Sequence, residues 1–513
     1  MFRLIYIAIV LFMTLVSCHE GVRNPNSELT DEAFAGMRTE GLRLNSHAIR
    51  RGIDSLMRAD GVGFISDRKL RDYYSAHGSF IWITRNGVEQ RADSVLVFLR
   101  RAAECGIDTN MLRTSQICRD IKQIRLLDGF ESKGHINKVM ARLEYNLTRA
   151  YLRYAAGQMY GFVNPDKLYN NIEKCDSDTV SGRVIYSHLC DLRTVRADSM
   201  FFATAIRKAF NDSIGSFLSA VQPRGALYRE LVGRLNTVSM SADERRKTLC
   251  NIERCRWRQR KYREFQSYDK YVVVNIPSCS LFANDGEETL TMRVAVGTNE
   301  HKTPLLTSAV KRMDLNPQWI VPKSIAKGIA GRFDYMHSHG MFVVDKKLGK
   351  LAPEESSYRK IIDGEQYIVQ AGGPKNSLGR IIFRFDNNFA VYLHDTSSPW
   401  LLQRSRRDIS HGCVRVEKPL DLALFMLDDK EDETLPDKIK YSMSMPFIND
   451  ADSVKKVDID RKLIINNVHV KPVVPIFITY YTLFYTNGDG LVSYPDIYNY
   501  DEPLARELSS FMK

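Results

Sequence analysis

The sequence has few features of membrane-spanning, repetitive or low-complexity proteins. After residue 16 it has no apolar run suited to crossing a bilayer, because the stretch from Pro472 to Tyr485 is interrupted by Pro475 and Thr479 and is typical of a strand. It contains no internal repeat of solenoid period and no long low-complexity tract. With 44% hydrophobic and 10% aromatic residues, the 513-residue chain has the composition of a folded protein of two or three domains.

Cysteines are few and widely spaced. The nine lie at positions 18, 105, 118, 175, 190, 250, 255, 279 and 413, which excludes the dense disulfide framework of a small secreted domain. Two pairs have the short spacing of metal ligands, Cys250 with Cys255 and His337 with His339, but neither is accompanied by a second pair. We therefore expect no structural metal, and we expect most of these cysteines to be buried free thiols.

The N-terminus has the pattern of an export signal. Met1-Phe2-Arg3 precedes the mostly apolar run of residues 4–16, which has the length of a secretory h-region and ends at Ser17-Cys18. An ordinary signal peptide with an incidental Cys18 is one interpretation. The other, which we favour because residues 15–18 resemble a bacterial lipobox, removes residues 1–17 and lipidates Cys18. We then expect residues 18–45 to be a polar tether, and the protein to lie on the periplasmic side of the cell envelope, anchored to a membrane through its lipid.

Basic residues outnumber acidic ones by 73 to 61, which gives a formal net charge of +12. Such a balance suits an anionic partner, for example a cell-wall polymer, a nucleic acid or an acidic membrane surface. An exported protein has little access to nucleic acid, so we expect no nucleic-acid partner.

Helical periodicity fills residues 46–267. One apolar stripe, Val95 to Ala103, is expected to begin at an Asp93 or Ser94 cap and to stop at Gly106. A second stripe runs at steps of three and four from Ile136 to Tyr154 and ends before Gly161. These patterns predict a helical scaffold domain.

From residue 268 the pattern changes to short runs of period two. Strands are predicted at 271–276, 292–297, 381–385 and 389–393, and a helix is predicted to open at Pro419. Residues 322–365, which are rich in glycine and charge, are expected to form an inserted lobe. The predicted architecture is α+β and multidomain: the helical scaffold, a mainly β domain over 268–449, and a C-terminal segment, 450–513, that packs on both.

The stretch Ser410-His411-Gly412-Cys413 contains the parts of covalent acyl-transfer chemistry. A cysteine attacks as the thiolate, so a nearby imidazole must take its proton, and glycine lets backbone N–H groups approach a developing oxyanion. Both His411 and the upstream His394 are candidate bases, and spacing alone does not choose between them. A buried thiol in a turn is the alternative interpretation of the same four residues.

The longer pattern narrows these alternatives. His394, followed by fifteen residues and then Ser410 to Cys413 with Arg415, resembles the signature of the L,D-transpeptidase catalytic domain of the YkuD type. The resemblance extends to the large, YcbB-like branch of that family through the blocks 316–322, 373–380 and 392–396, and through 143–165, 251–257 and 496–498. It covers most of the chain after the tether.

The resemblance implies an enzyme without a cofactor that acts on peptidoglycan stem peptides. Members attack the bond between the third and fourth stem residues, release D-alanine, and pass the acyl group to a side-chain amine of another stem. By position, Cys413 is the implied nucleophile and His394 the base, oriented through the carbonyl of Asp395. The N–H groups of Gly412 and Cys413 are the implied oxyanion hole, and His411 is a supporting residue.

Other residues are implied to bind substrate or to support the cleft: Arg415, Ser410, Tyr392, Asn376, Arg380 and Trp319. Core packing is an equal alternative for Trp319 and Tyr392. The lobe over 322–365 is the implied capping lobe of the cleft. The charged run 403–408 either meets carboxylates of the donor stem or, as we favour, is a solvated loop.

Two departures accompany the resemblance. No copy of a separate peptidoglycan-binding module is evident between about residues 210 and 250, and Cys255 stands where relatives usually have an aromatic residue. Besides cross-linking, hydrolysis by an L,D-carboxypeptidase at the same site and a catalytically silent wall-binding lipoprotein stay open. The complete set of His394 and Ser410 to Cys413 argues against a silent site. The sequence does not identify protein partners.

Overall fold

The computed structural model describes residues 38–39, 42–127, 129–132, 134–174, 185–237, 239–428, 432–444, 460–485 and 490–512. The predicted signal peptide, Cys18 and most of the predicted tether lie outside these residues. Two compact units are present, one drawn from Met1–Asn164, Val195–Arg258 and Ala505–Lys513 and the other from Pro165–Thr194 and Gln259–Leu504. Within the described ranges, no helix combines the length and apolar character needed to cross a bilayer.

The helices follow one another along the chain as α1 Ser46–Ala59, α2 Ile65–Ser75, α3 Arg91–Arg100, α4 Thr114–Leu126, α5 His135–Tyr160, α6 Pro165–Tyr169, α7 Ser199–Ala209, α8 Ile214–Ala220, α9 Ala226–Thr237, α10 Ala242–Arg256, α11 Lys323–Ile329, α12 Phe333–Ser338, α13 Tyr358–Asp363, α14 Pro419–Phe425, α15 Leu435–Ser444 and α16 Asp501–Leu508.

The strands are β1 Arg38–Thr39, β2 Leu42–Arg43, β3 Ile83–Thr84, β4 Gly87–Val88, β5 Cys190–Asp191, β6 Lys270–Asn275, β7 Ser280–Asp285, β8 Glu288–Gly297, β9 Leu305–Leu315, β10 Trp319–Ile320, β11 Met341–Asp345, β12 Gly349–Leu351, β13 Gln366–Gln370, β14 Ile381–Phe385, β15 Leu393–His394, β16 Asp408–Ser410, β17 Val414–Val416, β18 Asn467–Thr479, β19 Leu483–Tyr485 and β20 Leu491–Ser493.

Helix α5 is the centre of the helical unit. It is buried on most of its surface, as expected of a helix enclosed by others, and it ends at Gly161 as the apolar stripe predicts. Its buried Glu144 accepts hydrogen bonds from the backbone N–H of Trp82 at 2.9 Å and the hydroxyl of Tyr74 at 2.7 Å. The expected cap of α3 is wrong, because that helix begins at Arg91 and Asp93 lies in its first turn.

The second unit is built on a large sheet with the strand order β14-β15-β17-β8-β7-β6-β18-β9-β5. An additional pairing between β14 and β9 closes this sheet on itself. Strands β5 and β18 come from outside residues 268–449. The predicted strands at 271–276, 292–297 and 381–385 correspond to β6, β8 and β14, and the predicted helix at Pro419 is α14.

The predicted strand over 389–393 is wrong. Only Leu393 and His394 form a strand there, because the chain before them turns. The turn is made by Ala390, whose φ is +54°, and by the side chain of Asn387, which accepts the N–H groups of Phe389 at 2.9 Å and Val391 at 3.1 Å.

The inserted lobe has its own sheet and its own core. Its strand order is β10-β13-β11-β12, all antiparallel, and helices α11 to α13 lie between these strands in the chain. Apolar side chains that include Met336, Val343 and Ile368 form its core. The small sheet begins at Trp319 and ends at Gln370, on either side of the predicted range 322–365.

Candidate functional site

Two short parallel strands bring the predicted catalytic residues together. Strands β15 and β17 pair with Leu393 opposite Val414 and His394 opposite Arg415. The N–H of Val414 donates to the carbonyl of Tyr392 at 3.1 Å, which continues the pairing by one residue. Because alternate residues of a strand point to the same side, His394, Arg415, Tyr392 and Cys413 share one face of the sheet.

His394 is buried and held in one tautomer. Its Nδ1 lies 2.5 Å from the carbonyl oxygen of Asp395. A carbonyl only accepts hydrogen bonds, so Nδ1 carries the proton and the lone pair of the neutral ring is on Nε2. Burial, together with the positive charge of Arg415, lowers the pKa of His394 to about 4, although backbone hydrogen bonds at Asp395 and Leu378 oppose the shift. At neutral pH this imidazole is therefore uncharged and able to accept a proton.

Asp395 is fixed by the loop that precedes β14. Its carboxylate accepts the N–H groups of Arg380 at 2.8 Å and Thr396 at 2.7 Å. Gly379 has a φ of +63°, and a Cβ at that position would overlap the Asp395 side chain. Burial raises the pKa of Asp395, while these hydrogen bonds oppose the rise. Because residue 379 is a glycine, the loop can pack closely against Asp395. The loop thereby fixes the Asp395 carbonyl, which accepts the hydrogen bond from His394.

Cys413 lies on the same face with its thiol partly enclosed. Its Sγ is 3.9 Å from the carbonyl oxygen of Ala390. Burial raises the pKa of the Cys413 thiol, whereas a backbone hydrogen bond at Tyr392 and the positive charge of Arg415 oppose the rise. Thiol and imidazole are thus both neutral in this state, and a proton must move when the sulfur attacks.

The turn that carries the nucleophile is tied together by hydroxyl groups. Gly412 has a φ of +109°, a conformation that favours glycine. Its N–H donates to Ser410 Oγ at 3.1 Å, and the same hydroxyl donates to the Cys413 carbonyl at 2.6 Å. The Gly412 carbonyl accepts from Thr303 Oγ1 at 2.8 Å, and that oxygen accepts the Gly297 N–H at 2.8 Å.

This arrangement bears on the expected oxyanion hole. The N–H of Gly412 is engaged by Ser410, so in this conformation it is not available to a ligand. The N–H of Cys413 donates to no acceptor within the described ranges. Of the two backbone N–H groups that the resemblance implies for the oxyanion hole, the N–H of Cys413 is therefore the one available to a ligand.

His411 is in contact with a second histidine. Its exposed ring stacks on that of His301, with centroids 4.8 Å apart and planes inclined by 21°. Partial burial lowers its pKa, and His301 and Arg415 lower it further. The structure gives His411 no hydrogen bond to Cys413 in the described part of the chain.

Arg415 and Tyr392 lie beside the nucleophile. The pKa of Tyr392 is raised to about 12 by burial and by Cys413, and its ring meets that of His394 edge to face at 5.9 Å. The guanidinium of Arg384 lies 5.6 Å from the centre of the Tyr392 ring. The Nε of Arg415 is buried with no hydrogen-bond partner among the described residues, which leaves a cation next to Cys413.

The remaining predicted site residues have structural contacts. Asn376 is buried, and its Nδ2 donates to the carbonyls of Ala371 at 2.8 Å and Pro317 at 3.1 Å. Arg380 Nη1 donates to Asn316 Oδ1 at 2.9 Å. Trp319 packs against the core of the lobe, as in the core-aromatic alternative. These contacts shape the loop before β14.

The charged run 403–408 finds partners within the chain. Arg406 Nε donates to Asp408 Oδ1 at 2.8 Å, and Arg407 Nη2 donates to the Ser278 carbonyl at 3.3 Å. The guanidinium of Arg404 lies 4.6 Å from the centre of the Trp400 ring. These contacts fit a structural loop better than a substrate clamp.

The candidate metal pairs have other environments. His337 pairs with Glu354, and the ring of His339 stacks on Tyr335 with centroids 3.9 Å apart. Cys250 is buried in helix α10. Across the described ranges, no three side chains of His, Cys, Asp or Glu converge as metal ligands would.

Four residues of the site lack a sequence signal that we recognise: His301, Thr303, Arg384 and Ala390. Thr303 contacts Gly412 of the catalytic turn, which is 109 positions away in the chain. A single threonine forms no sequence pattern from which this contact could be predicted. His301 is a lone histidine in a loop. The role of Ala390 comes from its backbone carbonyl, which any residue has.

Comparisons with known proteins identify two regions of the chain. Residues 269–439 match the YkuD family, the L,D-transpeptidase catalytic domain, and residues 68–235 match a family described as a scaffold domain. A Haemophilus influenzae protein named "Putative L,D-transpeptidase" is 26% identical over 304 residues, which cover 57% of this chain and 56% of that protein. The chain thus spans little more than half the length of this relative.

Two solved structures are also similar in part. An L,D-transpeptidase from Mycobacterium smegmatis is 15% identical and covers 41% of this chain and 58% of its own, with a TM-score of 0.17. L,D-transpeptidase 3 from Mycobacterium tuberculosis is 16% identical and covers 29% and 52%, also with a TM-score of 0.17. With such low scores the assignment depends on the family matches. The chain combines a helical scaffold domain with a mainly β L,D-transpeptidase catalytic domain of the YkuD family.

Proposed function

We propose that this chain cross-links peptidoglycan by joining the third residues of two stem peptides through a thioester on Cys413, with release of D-alanine. One observation carries the proposal. Cys413 and His394 occupy one face of two paired strands, and the Asp395 carbonyl holds His394 with Nε2 unprotonated. This is the arrangement that a cysteine acyltransferase requires.

In the first step His394 Nε2 takes the thiol proton while Cys413 Sγ attacks the carbonyl carbon of the third stem residue. The resulting oxyanion accepts the N–H of Cys413. When the C–N bond breaks, the nitrogen of D-alanine leaves with the proton held by His394, and the acyl group stays on sulfur. The guanidinium of Arg415, whose Nε has no hydrogen-bond partner among the described residues, suits the carboxylate of the departing D-alanine.

In the second step the side-chain amine of another stem attacks the thioester carbon. His394 takes a proton from the attacking nitrogen and returns it to the departing sulfur, which restores the thiol. Water in place of the amine gives a tripeptide instead of a cross-link. Cross-linking and hydrolysis use the same site residues until the thioester has formed.

The test is to incubate the full chain with a disaccharide-tetrapeptide and to follow Cys413 by mass spectrometry. We expect an acyl adduct on the Cys413 peptide, followed by a cross-linked dimer. An adduct followed only by tripeptide would identify a carboxypeptidase. Binding of wall polymer by well-folded protein without an adduct would contradict the enzyme and favour the silent scaffold.

We also propose that the mature protein is held at a membrane of the cell envelope by a lipid on Cys18. The support is the apolar run of residues 4–16 followed by a cysteine. Metabolic labelling with a fatty acid should mark the wild-type protein, and Cys18→Ala should abolish the label. Equal labelling of the two proteins would contradict the anchor.

A further inference from the structure

A pocket of about 580 Å³ in the catalytic unit adjoins the nucleophile. Its volume falls in the range of about 300–1,000 Å³ typical of small-ligand sites. Ala390 and Tyr392 are among the residues that line it. The carbonyl oxygen of Ala390 lies 3.9 Å from Cys413 Sγ, and the pairing of β15 with β17, continued by one residue, sets Tyr392 beside Cys413. The walls of the pocket therefore include the immediate neighbours of the nucleophile.

A row of side chains runs from Cys413 across this face of the sheet. The register of β14 with β15, continued by one residue, sets Arg384 beside Tyr392, and its guanidinium lies 5.6 Å from the centre of the Tyr392 ring. Arg384 pairs with Arg312 of β9, and Arg312 pairs with His469 of β18. Residues paired across strands point to the same face, so the whole row shares one face with the nucleophile. All but Cys413 line the pocket, and His469 is positive whenever its ring is protonated.

This face is accessible, in contrast to the other face of the same strands. The neighbouring row consists of Phe383, Met313 and Leu393, which are fully buried. The side chains of Arg384 and Arg312 are 42% and 44% exposed. Their guanidiniums can therefore meet a ligand in the pocket.

Positive charge exceeds negative charge around this pocket. Lys311, Arg312 and Arg384 line it, against one carboxylate, that of Asp386. Lys311 pairs with Asp386, and the two arginines share a second carboxylate, that of Asp314. Three cations thus meet two carboxylates. The excess of positive charge favours an anionic ligand.

Arg384 retains unused hydrogen-bond donors. Its Nε donates to Asp314, and the N–H groups on its two Nη atoms have no acceptor within the described residues. A guanidinium presents five N–H donors in one plane, and two neighbouring donors match the two oxygens of a carboxylate. The pocket therefore has the charge and the donors of a carboxylate site.

The distance from Cys413 selects the part of the substrate that carries this carboxylate. Neighbouring strands lie about 4.8 Å apart, so Arg384, two strands away, is about 10 Å from Cys413. In the proposed reaction Cys413 attacks the third stem residue, whose side chain carries an amine. The second residue is the nearest retained position for a carboxylate, because two extended residues span about 7 Å and its side chain supplies the remaining reach.

The acceptor stem is a poorer occupant of the pocket. Its attacking amine is an ammonium at neutral pH until it loses a proton, and an excess of positive charge beside Cys413 repels it. Arg415 follows Cys413 by two residues along β17 and is left for the departing fourth residue. The charges around the nucleophile therefore favour the donor stem in the pocket.

We propose that Arg384, supported by the charge of Arg312, binds a carboxylate on the second residue of the donor stem peptide while Cys413 attacks the third. The identity of the peptide rests on the proposed function. No bond is made or broken in the pocket, which holds the donor and selects for the carboxylate.

The first test measures binding without reaction. It uses the full chain with Cys413→Ala and two tetrapeptides that differ only at the second residue, which carries a carboxylate in one and a carboxamide in the other. The carboxylate peptide should bind about tenfold more tightly, a difference of about 1.4 kcal/mol. Arg384→Gln removes the charge and leaves Asp314 paired with Arg312, so it should make the two affinities equal by weakening that of the carboxylate peptide alone.

The carboxamide peptide is the control for folding, because its affinity does not depend on the charge of residue 384. Arg461→Gln, which changes an exposed arginine elsewhere in the same unit, should preserve the tenfold difference. Equal affinities before the change at Arg384, no binding of either peptide, or a difference that survives Arg384→Gln would overturn the proposal.

A second measurement separates this inference from the proposed function. With Cys413 intact, the carboxylate peptide should acylate the sulfur with a kcat/KM about tenfold higher than that of the carboxamide peptide. Equal acylation by the two donors, with cross-linking that depends on the same carboxylate in the acceptor, would place the pocket on the acceptor side and contradict the proposal. No adduct from either peptide, with the difference in binding intact, would contradict the enzyme and support the carboxylate site alone.

Discussion

The Nδ1 of His394 donates to the carbonyl oxygen of the next residue, Asp395, at 2.5 Å. This bond places a proton on Nδ1 with a backbone acceptor in place of the carboxylate found in many catalytic triads. The neighbouring Arg415 and the burial of the ring keep the imidazole neutral. The His394 imidazole can therefore accept a proton during the reaction, but at neutral pH it is unprotonated at rest.

His394→Ala should abolish acylation of Cys413, while His411→Ala should leave a measurable rate. The reason is position, because His394 shares a sheet face with Cys413 whereas His411 stacks on His301 at the surface. Loss of a general base costs about 10²–10⁴-fold in rate. Adduct formation on the Cys413 peptide, followed by mass spectrometry, gives both rates. Equal and complete loss in the two variants would leave the assignment of the base unsupported.

Stability of the catalytic unit should fall as the pH is lowered from 6.5 towards 4. The pKa of His394 is about 4 in the folded protein and 6.5 when exposed, so the unfolded chain binds more protons in this window. The stability present above pH 6.5 is lost by up to about 3 kcal/mol as the pH falls through the folded pKa. Urea unfolding between pH 4 and 7 measures the slope.

His394→Gln is the control for that slope, because it removes the titrating group and keeps a side chain of similar size. Its unfolding free energy should depend less on pH than that of the wild type. Identical slopes for the two proteins would show that His394 does not contribute.

Alkylation of Cys413 should require alkaline pH. Burial raises the pKa of the thiol and lowers that of His394, so a thiolate and imidazolium pair is disfavoured at rest. Arg415→Ala should move the midpoint to still higher pH, since the charge of Arg415 lowers the pKa of Cys413. Peptide-resolved mass spectrometry after iodoacetamide treatment gives the profile. Fast alkylation that is independent of pH from 5 to 8 would indicate a preformed ion pair.

Gly379→Ala should slow acylation although residue 379 carries no reactive group. The new Cβ would overlap Asp395, and the φ of +63° adds backbone strain of about 1–3 kcal/mol. Displacing Asp395 moves the acceptor of His394 Nδ1. Gly286→Ala, at a comparable φ of +58° with open space around it, controls for strain alone and should keep the wild-type rate. Similar losses in both variants would argue against a route through Asp395.

Much of the fold follows from local pattern, and the details of the site do not. The apolar stripe from Ile136 to Tyr154 identifies α5, since one helix face repeats at short range. The strand prediction over 389–393 was wrong because the turn at Ala390 depends on the side chain of Asn387 and not on the hydrophobic pattern. The contact between Thr303 and Gly412 joins residues 109 positions apart, so no local period announces it. The choice of His394 as the base came from the resemblance to a known family, since spacing alone does not choose between His394 and His411.

Thr303→Val should destabilise the catalytic unit and slow acylation together. The Thr303 hydroxyl donates to the Gly412 carbonyl and accepts the Gly297 N–H, both at 2.8 Å, and the residue is fully buried. Valine has the same shape but pairs with neither group, at a cost of about 1–3 kcal/mol for each one left unsatisfied. Thr303→Ser retains the hydroxyl and should behave nearly as wild type. Chemical unfolding and the rate of Cys413 adduct formation report the two effects. A valine variant that loses stability but acylates at the wild-type rate would show that Thr303 supports the fold without positioning the nucleophile.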